Sequence, residues 1–206
     1  MWSWICVGLS GFISISAFEN HNLKQALLFK NITPVLLLAM LVEQAGDWSS
    51  PSIWVALGLL VAMFADSLHL LGKWPKFCFF AFVAAQLCYS RAFWVQLSGT
   101  IVWWLPALLL ATSIVAFFLL LPQLDTLIFP VTIMGIILVQ LAWASGDVWL
   151  KSPSWGSLVG FVGSLIFILS AALLAIHDYR HALPWGQYWI SGSYLLAQAL
   201  IVASVL

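Results

Sequence analysis

The sequence predicts an all-α membrane protein with eight transmembrane helices. Hydrophobic residues make up 64% of the chain and charged residues only 7%, and the mean hydropathy is +1.07. A water-soluble domain of this composition could not cover its surface with polar groups. The apolar residues also fall into runs of about 20, the length that an α-helix needs to cross the hydrocarbon core of a bilayer.

Eight apolar runs follow one another along the chain. They cover residues 2–18, 29–45, 52–71, 77–97, 101–121, 127–150, 154–176 and 188–206. The connections between them are too short for a soluble domain, so residues 1–206 are predicted to form a single polytopic membrane domain. The first run has no basic residue before it, which is not typical of a cleaved signal peptide. The formal net charge of +0 argues against a nucleic acid partner.

The basic residues near the connections predict the orientation of the chain, because loops rich in Lys and Arg stay in the cytoplasm. The side that carries the connections after the first, third, fifth and seventh runs has five basic residues, and the opposite side has only Lys151. The five are Lys24, Lys30, Lys73, Lys76 and Arg180. Both termini are therefore expected outside the cytoplasm.

The polar residues of the two halves indicate an internal repeat. Three residues recur at a constant offset of 112 positions: Asp66, His69 and Gln86 match Asp178, His181 and Gln198. In addition, the segment 46–52 resembles the segment 146–154, with two residues inserted. Four runs in each half would make the two halves parallel, with candidate repeats 1–98 and 99–206. The alternative is chance similarity within an apolar chain.

Asp66 and Asp178 are the candidate catalytic residues. An ionisable group inside a membrane is costly and usually marks a functional site. If the repeat is real, the two carboxyl groups lie at equivalent depths, where repulsion would leave one protonated and one ionised. Such a pair can act as general acid and general base. Alternatively, Asp66 could cap a helix or pair with Lys30, and Asp178 could be a solvated loop residue.

Further polar residues are candidates for binding a substrate. Lys30 could bind a lipid phosphate or hold an aspartate ionised, although it could also extend its ammonium to the membrane surface. Two other runs carry polar residues at helical spacing, which also occurs where helices bond to each other. These residues are Gln86, Tyr89 and Ser90 on the fourth run, and Tyr194 and Gln198 on the eighth.

The two Asp-x-x-His pairs also allow a metal site. Residues three apart share one face of a helix, and paired carboxylate and histidine ligands build metal sites in helix bundles. However, His69 and His181 approach the predicted membrane surface, where a histidine needs no special role. We therefore predict neither a metal nor another cofactor.

Four motifs in order along the chain resemble those of the YhhN family, which are lysoplasmalogenase-like integral membrane proteins with eight predicted spans. The motifs are Phe29–Pro34, Ala65–Leu71, Ala85–Tyr89 and Tyr194–Ile201. The chain departs from the family pattern at three positions. Ala65 stands where the family usually has Gly, Gln86 where it often has His, and His177 where it often has a small hydroxyl residue.

The resemblance implies hydrolysis of the vinyl ether bond of lysoplasmalogens, which releases a fatty aldehyde and a glycerophosphocholine or glycerophosphoethanolamine. It implies a lysophospholipid substrate drawn from the bilayer and a bacterial inner-membrane protein, and the bias of basic residues places the site towards the cytoplasm. The expected substrate-binding residues are Lys30, Gln86, Tyr89, Tyr194 and Gln198. A transporter of small solutes or lipids, or a lipid-binding protein without activity, are the alternatives.

Overall fold

The computed structural model describes residues 2–44, 49–72, 74–99, 102–120, 128–179 and 184–206 of the chain. The side chains of residues 119, 120, 178 and 179 are not among the described parts. The described residues form eight α-helices and no β-strand. The helices are α1 Trp2–Glu19, α2 Leu23–Gln44, α3 Ser50–Leu71, α4 Pro75–Trp94, α5 Trp104–Leu120, α6 Ile128–Lys151, α7 Trp155–Tyr179 and α8 Gly186–Ala203.

The helices follow the predicted apolar runs, with the largest difference at the start of α2. This helix begins at Leu23 rather than at residue 29, so Lys30 lies in its third turn instead of at its opening. Leu23, Lys24 and Gln25 are good helix formers, and they extend the helix beyond its apolar part. Hydropathy marks where a helix is apolar, whereas backbone hydrogen bonding decides where it begins.

The fold is that of a multi-pass membrane protein. Six helices are long and apolar enough to cross a bilayer: α1, α2, α3, α4, α6 and α7. Helix α5 has 17 residues, and α8 carries Gln187 and Gln198 within its 18 residues. At 1.5 Å per residue these two helices are about 26–27 Å long, slightly less than a bilayer core of about 30 Å. The count of eight membrane crossings and the internal repeat therefore stay predictions.

Seven of the helices enclose a common core, and α5 lies outside it. Helix α4 packs on α3 and α6, while α8 packs on α7 and also contacts α1, α2 and α3. Helix α5 packs on α6, where Leu105 and Leu109 contact Val139 and Ala142. The largest fully buried side chains of the common core are Leu37, Leu41, Val55, Leu59, Tyr89, Phe93, Leu141, Gln198 and Ile201.

Hydrogen bonds between helices supplement this packing. The Ser14 hydroxyl on α1 donates to the Ala26 carbonyl on α2 at 3.0 Å, and Ser170 on α7 donates to the Ile190 carbonyl on α8 at 2.9 Å. Large apolar side chains such as Phe64 and Phe80 point outward. Because lipid provides no hydrophobic drive for helices to associate, small hydroxyl residues at the contacts help to hold such bundles together.

Candidate active site

A buried carboxylate joins three helices in the interior of the bundle. Asp66 on α3 is only 3% exposed. Its Oδ1 atom lies 3.2 Å from the Lys30 ammonium nitrogen of α2, and its Oδ2 atom accepts a hydrogen bond of 3.1 Å from the Tyr194 hydroxyl of α8. Both oxygen atoms of the carboxylate are therefore held by donors from neighbouring helices, one of them charged.

The contact between α2 and α3 fixes the position of Lys30. The next residue on each helix forms a second contact, because the Ser67 hydroxyl donates to the Asn31 side-chain oxygen at 3.0 Å. Pro34 has no N–H, so the Lys30 carbonyl lacks its usual helical donor and the helix is free to bend there. The Lys30 side chain is 13% exposed. The ammonium therefore forms the edge of the site, and Asp66 forms its interior.

On the opposite side of Asp66, α8 contributes a hydrogen-bonded pair. The Gln198 amide nitrogen donates to the Tyr194 hydroxyl at 2.9 Å, and that hydroxyl in turn donates to Asp66. The Tyr194 ring packs edge-on against Phe167 and Phe82, with centroid distances of 5.5 Å and 6.1 Å. Because the ring is held on both sides, its hydroxyl is directed at the carboxylate.

Helix α4 adds a polar face to the same interior. Gln86, Tyr89 and Ser90 are at most 4% exposed. A Cβ atom at Gly58 would lie 2.5 Å from Cε1 of Tyr89, so this glycine lets the ring rest directly on α3. The Gln198 side chain approaches the Tyr89 hydroxyl, but the geometry does not make a hydrogen bond.

The second predicted aspartate lies at the end of α7. The backbone of Asp178 belongs to the last turn of that helix, its side chain lies outside the described parts, and His181 lies outside the described residues. The convergence of Asp178 on Asp66 therefore stays a prediction. His69 is exposed near the end of α3, with its ring 6.4 Å from that of Phe82. Among the described side chains, no three His, Cys, Asp or Glu residues are grouped to hold a metal.

A second ion pair, between Asp147 and Lys151 of α6, was not among the residues selected from the sequence. Asp147 is 0% exposed. Its Oδ2 atom lies 2.9 Å from the Lys151 ammonium, and its Oδ1 atom accepts from the Val102 N–H at 3.1 Å. The spacing of four residues between Asp147 and Lys151 was the available signal. Through its contact with Val102, Asp147 binds the segment before α5 to the end of α6.

Comparison with known proteins decides the family. The model of the YhhN family matches residues 25–205. The chain belongs to the YhhN family. It is 31% identical over 208 residues to the uncharacterized membrane protein YhhN of Escherichia coli O157:H7 and to that of Shigella flexneri. In both comparisons the match covers 100% of this chain and 99% of the relative.

A more distant relative carries an enzyme name. The chain is 28% identical over 180 residues to the lysoplasmalogenase TMEM86B of Rattus norvegicus, which covers 84% of this chain and 70% of that protein. No solved structure matches the chain. The resemblance of the four sequence motifs to the YhhN family is thus confirmed.

Proposed function

We propose that this protein is a membrane hydrolase that cleaves the vinyl ether bond of lysoplasmalogens to a fatty aldehyde and a glycerophospho-base. One observation carries the proposal. A carboxylate, Asp66, lies buried in the helix bundle beside the Lys30 ammonium group. The similarity to a rat protein named lysoplasmalogenase supports the same reaction.

The spacing of the two charged groups suits this substrate. In a lysoplasmalogen, only the glycerol unit separates the anionic phosphate from the vinyl ether. Lys30, at the partly exposed edge, is suited to bind the phosphate, while Asp66 lies directly behind it. A lipid that enters with its headgroup at Lys30 would therefore bring its vinyl ether to the carboxylate.

Hydrolysis of a vinyl ether begins with a proton. A general acid transfers a proton to the β-carbon, a C–H bond forms from the π electrons, and the positive charge is shared by the α-carbon and the ether oxygen. Water then attacks the α-carbon and gives up a proton to a carboxylate. The hemiacetal hydroxyl then loses its proton as the bond to the glycerol oxygen breaks, and that oxygen takes up a proton, which yields the aldehyde and the glycerophospho-base. Two carboxyl groups divide such work between them in glycoside hydrolysis, which has a similar oxocarbenium-like transition state.

The partners of Asp66 decide which role we assign to it. Because both oxygen atoms of Asp66 already have donors, Lys30 and Tyr194, we assign to Asp66 the part of stabilising the cation and accepting the proton from water. Asp178 is then the proton donor, and the internal repeat would bring it to the same depth. In this proposal the repeat also makes all eight helices cross the membrane.

The proposed location is the bacterial inner membrane, with the site open to the cytoplasmic leaflet. The bias of basic residues supports this orientation. A lysophospholipid has one hydrocarbon chain, which can enter between helices from the bilayer while the headgroup stays at the surface. No cofactor takes part in the proposed reaction.

The alternatives keep Asp66 but give it a different purpose. In a lipid-binding protein without activity, the ion pair would only join α2 to α3. In a transporter, it would be part of a polar path that reaches both membrane surfaces. Both alternatives predict that no lipid bond is broken, which is what separates them from the proposal.

The deciding experiment incubates the purified protein in detergent with 1-alkenyl lysophosphatidylethanolamine and measures the aldehyde released. The matched control lipid has a 1-alkyl chain, which lacks the double bond and cannot be protonated to the same cation. We expect aldehyde only from the alkenyl lipid. No aldehyde from choline and ethanolamine substrates would reject the proposed function.

A further inference from the structure

Four buried polar atoms on α4 and α8 have no hydrogen-bond partner within the described part of the chain. They are Oε1 of Gln86, the Tyr89 hydroxyl, the Ser90 hydroxyl and Oε1 of Gln198. All four residues are at most 4% exposed. Nearly all buried polar atoms in folded proteins have a partner, so four together indicate a bound polar ligand.

The four residues are related through helix α4 and through the approach of α8 to Tyr89. Gln86, Tyr89 and Ser90 lie three and four positions apart, which places them on one face of α4. The Gln198 side chain approaches the Tyr89 hydroxyl from α8. Gln198 also donates to Tyr194, which donates to Asp66. Gln198 and Tyr89 therefore adjoin the network of the buried carboxylate, and Gln86 and Ser90 lie on the same face of α4 as Tyr89.

The donor and acceptor properties of the four atoms match those of water. Two are amide oxygens, which only accept, and two are hydroxyls, which can donate. A water molecule donates two hydrogen bonds and accepts two, and buried waters typically make about three. A metal cation fits less well, because the four groups are neutral and the nearby Asp66 is already paired with Lys30.

We propose that Gln86, Tyr89, Ser90 and Gln198 bind an internal water that is joined to Asp66 through Tyr194. We further infer that this water is the one consumed by the hydrolysis, an inference that rests on the proposed function. The hydrocarbon core holds almost no free water, so a reaction there needs a supply bound by the protein. Gln86, Tyr89 and Gln198 then act on the water and not on the lipid chain, and Ser90 joins them.

The water site can be tested without any substrate. Brief X-ray irradiation splits bound water into hydroxyl radicals, which oxidise adjacent side chains, and mass spectrometry locates the products. Tyr89 and Phe93 lie on the same helix, and both are at most 1% exposed. We expect oxidation of Tyr89 and none of Phe93. The absence of oxidation at Tyr89, or equal oxidation at both rings, would overturn the water site.

Two variants remove ligands of the water. Ser90→Val replaces a hydroxyl by a methyl group of similar size, and Gln86→Leu removes an acceptor. Each should suppress the oxidation of Tyr89 while the exposed Trp189 is oxidised as before. A variant that fails to fold is recognised by new oxidation at Phe93. Oxidation of Tyr89 unchanged in both folded variants would reject these ligands. The same measurement is repeated with choline in place of Na⁺. If the oxidation of Tyr89 depends on Na⁺, the site binds a cation and the water site is rejected.

Kinetics test the role of the water in the reaction. Ser90→Ala and Gln86→Leu should lower kcat by about tenfold to a hundredfold, because a misplaced reactant is costly, and leave KM for the alkenyl lipid nearly unchanged. A raised KM with normal kcat would mean that these residues bind the lipid, which overturns the inference. If the unmodified protein releases no aldehyde, the proposed function fails, whereas the oxidation of Tyr89 still decides the water site.

Discussion

At the scale of single residues, the site depends on one carboxylate and the groups that hold it. Asp66 contacts Lys30 and Tyr194 through its two oxygen atoms, so it has a defined orientation. A buried ion pair is not by itself strongly stabilising, because both charges lose their hydration. Its presence in a membrane interior is therefore better explained by chemistry than by stability.

Asp66→Asn should abolish most of the turnover. The amide keeps the shape of the carboxylate but can neither accept a proton nor stabilise a cation, and general acid–base help is worth about 10²- to 10⁴-fold. The measurement is aldehyde release from 1-alkenyl lysophosphatidylethanolamine by folded protein. Asp147→Asn is the matched control, because it changes a buried carboxylate of the other ion pair. Normal activity of Asp66→Asn would exclude Asp66 as a catalytic residue.

Tyr194→Phe should lower activity through Asp66. The change removes only the hydroxyl that donates to Asp66 and accepts from Gln198, while the ring keeps its contacts with Phe82 and Phe167. Residues that act as one unit show losses that do not add. The double variant with Asp66→Asn should therefore be no less active than Asp66→Asn alone. Additive losses in the measured kcat would assign Tyr194 a separate role.

At the scale of helices, close contacts set the depth and direction of the polar side chains. Gly58 allows the Tyr89 ring to lie on α3, and Ser67 bonds to Asn31 across α2 and α3. Both contacts are made by small or short side chains, which permit helices to approach closely in a membrane.

Gly58→Ala should destabilise the protein. The added Cβ would lie 2.5 Å from the Tyr89 ring, and overpacking of a core typically costs about 1–3 kcal/mol. Gly135→Ala on α6 is the control, because its Cβ would have no neighbour within 4 Å and alanine favours a helix. Thermal unfolding in detergent should show a lower midpoint for Gly58→Ala only. Equal midpoints for the two variants would mean that the Tyr89 ring and α3 move apart without loss of stability.

Asp147→Ala should weaken the attachment of α5. The Val102 N–H would lose its acceptor, and a buried group left without a partner costs about 1–3 kcal/mol. Lys151 would lose its counter-ion, although its side chain is 21% exposed and can turn outward. We expect a lower unfolding midpoint and earlier proteolysis near residue 102, with little change in the properties of the Asp66 site. Unchanged stability would show that water replaces the carboxylate.

At the scale of the whole molecule, the direction of the bundle in the membrane decides which leaflet supplies the lipid. In the proposed orientation, with both termini outside, Lys30 and Asp66 would lie towards the cytoplasmic leaflet. Asn20, between α1 and α2, and Ser154, between α6 and α7, are exposed, and eight crossings would place them at opposite membrane surfaces. They therefore offer a direct comparison of the two membrane surfaces.

In cells that express a variant without Cys6, Cys78 and Cys88, a cysteine introduced by Ser154→Cys should react with a membrane-impermeant thiol reagent. Asn20→Cys should react only after the cells are opened, since the excess of basic residues keeps its side in the cytoplasm. The labelled fraction on a gel is the measurement. The reverse pattern would place the candidate site at the outer surface.

The sequence by itself determined the fold class, the approximate helices and the family of this protein. Hydropathy and the length of an apolar run are local properties. Because the thickness of a bilayer is fixed, they predict which segments form membrane helices. Local pattern also selected Asp66, Lys30 and Tyr194 as candidates, because polar residues are rare in such a chain. The pattern did not predict the start of α2, because Lys24 and Gln25 belong to the helix without being apolar.

Only the tertiary structure decided which of these side chains meet. Tyr194 and Asp66 are 128 residues apart in sequence, and no local pattern states that α8 brings its hydroxyl to α3. The same holds for Asp147, whose burial follows from the packing of α6 against the segment that carries Val102. The surroundings of a side chain depend on helices that are distant in sequence. Composition and spacing can therefore select candidate polar residues but cannot predict which of them contact each other.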